Sequence, residues 1–252
     1  ASGVFAFLNT TSSLLSNVSV RQAIQRGVNI GEIRSVLGDE YPLDYPLLTT
    51  ELNVDNYPTL PSYNLTEAQE MLQAAGAKGK TLRLATINTG YFPELAEQWK
   101  SQLEHLGFKV DLSIYDPGQD FIVNTIRPRN YDILLYEVEF GADLDLFAYY
   151  HSSQASSTGL NLSNYANALA DDLILSSRET MSVSGRAAKY ETFLKRWVSD
   201  VPAIGIYQVS LVYYFNKNAR SFSEDDRLIY ATDRFMDVEY WAVNQAQKNR
   251  TP

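Results

Sequence analysis

The chain has 252 residues, and its 21 Lys+Arg against 30 Asp+Glu give a formal net charge of −9. That balance argues against nucleic acid, whose affinity comes mainly from neutralised phosphates, and against adhesion to an anionic membrane. The absence of Cys excludes a thiol nucleophile, a disulfide framework and a Cys-based zinc site, and no run of 18 apolar residues is present to span a bilayer.

The 45% hydrophobic content is enough for one large or two modest cores, and the 17 Tyr fit amphipathic contact surfaces. The N-terminal ASGVFAFLNT is apolar and strand-like, without the basic and hydrophobic regions of a signal peptide. Residues 19–28 read as a short helix with Val20, Ala23, Ile24 and Val28 on one face and Ser19 as N-cap. A second helix over 30–37 is stopped by Gly38. Residues 39–63, rich in Pro, Tyr, Asp and Leu without a period, read as a long ordered loop. Asn64 with Glu67 three residues on forms a capping-box-like start to a helix that Gly76 ends.

A strand–helix repeat follows. Residues 81–87 form a strand, Pro93 opens a helix carrying Leu95, Ala96, Trp99, Leu103 and Leu106, and Gly107 closes it. Residues 109–114 alternate as a strand, 120–125 form a short helix, and 131–139 form the third strand, so a parallel sheet with right-handed crossovers is expected. Helices over 167–177 and 185–198, strands over 201–207 and 211–215, and a weak helix near 235–246 complete the pattern.

The third strand is the most informative. Its buried run Ile133-Leu134-Leu135-Tyr136 leads into Glu137, Glu139, Asp143 and Asp145. Ligands of open parallel sheets bind beyond the carboxyl ends of strands, so acid at that point marks a candidate site for a cation or an ammonium group. The alternative is a strand leaving the core into a solvated acidic loop.

Other constellations are thin. His105 and His151 lie 46 positions apart and read as surface histidines rather than metal ligands. Glu137 and Glu139 on one strand face stand closer than a glycosidase acid pair requires. No G-x-S-x-G is present, and Ala77-Lys78-Gly79-Lys80 is a turn rather than a phosphate loop. No cofactor is indicated.

Seven segments in order resemble the family 5 extracellular solute-binding proteins, the peptide-binding components of ABC importers. Val20-Arg21-Gln22-Ala23-Ile24 is similar to the family's VRQAL helix, and Ala68 to Gly76 to its AKELLAEAG helix. Ala96 to Val110 resembles AEALQAQLAEIGIKV, Tyr131-Asp132-Ile133 a YDM strand start, and Asp143 to Phe147 a DPDNF turn. Asn161 to Ile174 resembles NYSGYSNPEVDALI, and Arg186 to Tyr190 with Asp200 to Ile204 resembles RAELYQ…DAPVIPLY. The chain departs where Leu144 replaces the Pro of the family's DP and where Gly27-Val28-Asn29-Ile30-Gly31 replaces AIDRE.

The resemblance implies an α/β, periplasmic-binding-protein-like (type II) lobe, with a mostly parallel sheet flanked by helices and a C-terminal tail. It covers only the family's C-terminal half: 1–16 would be an interlobe crossover, 17–207 the second lobe, and 208–252 a return crossover and tail packing on a missing N-terminal lobe. It implies a non-enzymatic substrate-binding component that captures peptides or similar small solutes, with an ABC permease as partner. The location would be extracytoplasmic, in the periplasm or lipid-anchored at the cell surface. The ligand's ammonium would meet Glu139 first and Glu137 next; Asp143, Asp145, Asn161 and Tyr165 complete the expected ligand set. Dipeptide-selective members carry an Arg in the loop that reads Asn88-Thr89-Gly90-Tyr91 here, so dipeptide selectivity is not implied. The alternative is a stand-alone interaction or sensor module on the same fold.

Overall fold

The computed structural model describes residues 2–35, 41–46, 54, 56–140, 145–209, 214, 216, 219–220, 232–236 and 238–243. The apolar N-terminal run forms β1 (Ser2–Leu8), followed by α1 (Val18–Gly27), α2 (Ile30–Ser35) and the two-residue β2 (Tyr41–Pro42). Next come α3 (Leu65–Ala74), β3 (Thr81–Ile87), α4 (Phe92–Leu106) and β4 (Lys109–Tyr115). The short α5 (Gln119–Phe121) runs into a π-helical turn, Ile122–Ile126, before β5 (Ile133–Glu139). Then follow α6 (Phe147–Tyr150), α7 (Ala168–Arg178), α8 (Val183–Asp200) and β6 (Ala203–Val209), with β7 (Ala219–Arg220) and β8 (Ala242–Val243) as a separate ribbon.

Local chemistry explains most boundaries. Asn64 accepts the Glu67 N–H at 3.1 Å and starts α3 as expected. Pro93 sits in the first turn of α4, whose buried Phe92, Leu95, Ala96, Trp99, Leu103 and Leu106 follow the helical period. Gly107 ends α4 at φ 121°, a backbone conformation that favours glycine, and its N–H returns to Leu103 O.

Two local expectations are corrected. The N-cap of α1 is Asn17, whose side chain accepts the Ser19 N–H at 3.0 Å; Ser19 lies within the first turn. Over 235–243 the described residues form short 3₁₀ turns and then β8, in place of an α-helix. The Tyr240-Trp241-Ala242-Val243 stretch suits a strand, and pairing with β7 supplies the partner. The 39–63 loop also contains β2, paired with Tyr207 and Gln208 of β6. The end of the second expected helix, most of the expected 211–215 strand and residues 244–246 lie outside the described residues.

The main sheet runs in the order β2-β6-β1-β5-β3-β4. Strand β3 is parallel to β4 and β5, whereas β1 is antiparallel to both β5 and β6, and β2 is antiparallel to β6. Strands β3 to β6 therefore share one direction, β1 runs against them in the middle, and the sheet is mixed: the β3–β4 and β3–β5 pairings are parallel and the other three antiparallel. Its Val4, Phe5, Ala6, Phe7 and Leu8 are fully buried, as a central strand requires. On one face the sheet packs against α1, α3 and α4, with Ile24, Leu72 and Trp99 in the core. The other face packs against α6, α7 and α8 through Tyr150, Ile174, Phe193 and Trp197.

Candidate functional site

At one edge of the sheet the carboxyl ends of β3, β4, β5 and β6 meet the start of β1. Ser2 pairs with Glu139 of β5 on one side and Val209 of β6 on the other. Period-two geometry puts Glu137 and Glu139 on the same face as the buried Ile133 and Leu135, the α4 side. Glu137 is half-buried and accepts a 2.6 Å hydrogen bond from Ser2 Oγ. Glu139 is exposed, and its backbone carbonyl accepts from the Tyr149 hydroxyl.

Aromatic rings line the opposite face of the same edge. Tyr136 and Tyr149 both have raised pKa values, from burial first and from neighbouring Glu137 and Glu139 second. Both phenols therefore hold their protons at neutral pH and serve as donors. The loops after β3 and β4 are tied by Asn88 Nδ2, which donates to Asp116 Oδ1 at 2.9 Å. The edge offers carboxylate acceptors on one face, suited to an organic cation, and on the other apolar rings with the Tyr136 phenol as a donor, the Tyr149 hydroxyl being engaged by Glu139 O.

The other expected ligand residues lie elsewhere. Asp143 is outside the described residues. Asp145 accepts the Phe147 N–H at 3.0 Å and pairs with Arg178 Nε at 3.3 Å; the Arg178 guanidinium also lies 4.6 Å from the Phe147 ring centroid. It therefore stabilises the start of α6. Asn161 is fully buried, and its amide is saturated within its own loop. It donates to His151 O and Tyr165 O and accepts from Tyr165 N and Ser163 Oγ. Tyr165 is buried and donates to Asp200 Oδ2 at 2.8 Å; burial and then Asp200 raise its pKa.

Asn161 and Tyr165 also belong to the opposite end of the sheet. Their loop is fixed by Tyr131 OH on Leu162 O and by Thr10 N on Ser163 O, where β5 begins and β1 ends. From Ile133 to Glu139 the strand covers about 20 Å. The two groups thus cannot share a small ligand, and Asn161 and Tyr165 act in the fold.

Sequence reasoning did not place Ser2, Tyr136 or Tyr149 in the site; Tyr136 read only as the end of a buried strand run. Ser2 and Glu137 are 135 positions apart, and only the antiparallel pairing of β1 with β5 brings them together. Among the described residues, no group of three or more His, Asp or Glu is arranged to hold a metal ion, and no helix is long and apolar enough to cross a membrane.

Residues 1–159 match the profile of the bacterial extracellular solute-binding proteins, family 5, middle portion. No curated protein sequence gives a significant match. Among solved structures, the ABC transporter-associated periplasmic binding protein DppA from Helicobacter pylori, in complex with peptide STSA, aligns with a TM-score of 0.75 and 22% identity. That alignment covers 82% of this chain and 41% of DppA. The oligopeptide-binding protein AppA from Bacillus subtilis, in complex with a nonapeptide, gives 0.74 and 20%, over 97% of this chain and 51% of AppA. NikZ from Campylobacter jejuni, in complex with Ni(L-His), gives 0.74 and 18%, over 96% and 52%. At these identities the likeness is one of fold, and the chain spans about half or less of each of these proteins. The profile match extends over more than half of the residues, and the chain belongs to the bacterial extracellular solute-binding proteins of family 5.

Proposed function

We propose that this chain is the second lobe of the substrate-binding component of an ABC importer, and that it captures peptides or similar small solutes in a cleft completed by a first lobe. The observation that carries this reading is the sheet edge itself. Four co-directional strands end there, and the carboxylates of Glu137 and Glu139 share one face of β5. A carboxylate is the charge-assisted partner that a desolvated ammonium needs. Glu139 is the first acceptor, because one Glu137 oxygen is already engaged by Ser2. Asp143 and Asp145 are further acceptors in the same segment, with Asp145 partly committed to Arg178.

In this reading the crossings between lobes lie at Ser2 and at Val209, which are paired at the ligand edge; the rest of the expected 1–16 crossover belongs to this lobe instead, because Ser2–Leu8 is the central strand of its sheet. Closure is then a rotation of one lobe against the other about these two adjacent strands. The protein acts outside the cytoplasm, without catalysis, and hands its solute to a permease. DppA and AppA, each in complex with a peptide, support a peptide as the solute; NikZ, with Ni(L-His), supports keeping non-peptide solutes in the test.

The test is capture of a random peptide library by the complete two-lobe protein, read by native mass spectrometry, with amino termini free or acetylated. Retention of free-amine peptides over acetylated ones is expected. Retention of neither, alongside capture of a metal–amino-acid complex, would replace the peptide reading.

A further inference from the structure

A buried hydroxyl with no protein partner is unfavourable to folding, and each such group in a native protein calls for a reason. Tyr207 carries one. Its residue is 1% exposed, and its hydroxyl has no hydrogen-bond partner among the described residues. The Tyr150 hydroxyl lies in the opposite core, where the Trp197 indole faces it, the rings at 90° and 6.4 Å. Tyr207 instead shares a row with the ligand edge. Val4 pairs with Glu137 on one side and with Tyr207 on the other, and Val4 and Tyr207 belong to the core on the α4 side. With neighbouring strands about 4.8 Å apart, the Tyr207 and Glu137 backbones are separated by about 10 Å.

An irregularity in β6 puts Tyr207 there. Regular alternation from Ile204 would turn Tyr207 to the opposite face. The pairing with β1 slips between Val4 and Phe5, from Val4↔Tyr207 to Phe5↔Gly205, so Ile206 is an extra residue. Ile206 and Tyr207 consequently both pack on the α4 side. Arg34 braces the bulge: Nε donates to Ile206 O, and Nη2 donates to Leu43 O, Gly205 O and Asp44 Oδ1. Gly205 is required beneath it, because a Cβ there would stand 2.2 Å from Leu43 O. Over Tyr207 lies the ring of Tyr91, edge-on at 5.2 Å, from the loop that follows β3 at the ligand edge.

We propose that the Tyr207 hydroxyl is a further ligand-binding group of this site, and that Tyr91 is the cover a ligand displaces to reach it. The inference rests on the reading that the solute sits at the Glu137–Glu139 edge. Its chemistry complements that edge: the carboxylates only accept, whereas the phenol donates, so Tyr207 takes a carbonyl or carboxylate oxygen of a solute whose ammonium lies on Glu139.

The test uses the complete two-lobe protein, the random peptide library and calorimetry on the tightest retained peptide. Tyr207→Phe should weaken binding about 3- to 10-fold, the size of one neutral hydrogen bond. It should leave the melting temperature unchanged or raised, because Phe fills the same space without an unpaired hydroxyl. Tyr91→Ala should raise the association rate constant. Unchanged affinity in Tyr207→Phe, or a lowered melting temperature, would overturn the binding role; an unchanged association rate in Tyr91→Ala would overturn the cover. If Glu139→Gln weakens binding and Tyr207→Phe does not, this inference alone fails. If the parent retains no peptide, the site reading fails and takes the inference with it.

Discussion

Replacing Glu139 by Gln keeps the side-chain shape and removes the charge, which isolates the ion pair proposed for the ligand's ammonium. A hydrogen bond to a charged group is worth about 1.5–3 kcal/mol, or about 10- to 150-fold in affinity. The lower half of that range is expected, because Glu139 is exposed on this lobe and its desolvation must come from the ligand and the opposing wall. Glu137→Gln should cost less, since Glu137 is already occupied by the 2.6 Å bond from Ser2. Calorimetry on the two-lobe protein with free-amine and N-acetylated versions of one peptide closes a double-mutant cycle. The acetylated peptide should bind the parent poorly and lose little more in the variant; a general field effect would weaken both ligands alike. If neither Glu139→Gln nor Glu137→Gln alters the affinity for the free amine, the ammonium site moves to Asp143 or Asp145, or the peptide reading falls.

Three further outcomes follow from the same structure. The 252-residue chain alone should bind peptides far more weakly than the two-lobe protein, because closure cannot exclude water; micromolar or tighter affinity by calorimetry would contradict this. Asn161→Ala should cost about 2–3 kcal/mol of stability in urea denaturation, since it strands buried partners on His151, Ser163 and Tyr165, while peptide affinity of the folded fraction stays unchanged. Stability should also fall above about pH 10. Burial raises the pKa of Tyr131, Tyr150 and Tyr165 above the ordinary 10.0, so the unfolded chain loses these protons first. Between the unfolded and folded values the native state binds more protons, which makes the slope of unfolding free energy with pH negative. A urea midpoint that is the same at pH 8 and pH 10.5 would refute that linkage.

The parts legible in the sequence are those decided locally. Thr81–Ile87, Phe92–Leu106 and the Asn64 cap depend on period, proline, glycine and a side chain reaching three residues ahead. The shared face of Glu137 and Glu139 was legible for the same reason, because strand geometry alone sets it. What escaped depends on pairing between distant segments. Nothing in SGVFAFL says that β1 inserts antiparallel between β5 and β6, so Ser2 could not be assigned to Glu137. Asn161 and Tyr165 entered the ligand set through a motif match, and a match does not reveal that their hydrogen bonds close internally at the far end of the sheet. The tail was misjudged where helix-compatible polarity gave way to the partner strand at Ala219–Arg220.

The pairing of Ser2 with Val209 has an entropic meaning for any chain attached at both points. Residues opposite one another in an antiparallel ladder have Cα atoms about 5 Å apart. More than two hundred residues thus occupy, from the outside, the span of a tight turn. Chain-closure entropy grows with the length of flexible chain between two fixed points, and a folded insert with abutting ends contributes almost none. A host domain interrupted at this place would therefore assemble its own two halves as though the interruption were a hairpin, provided the insert folds first.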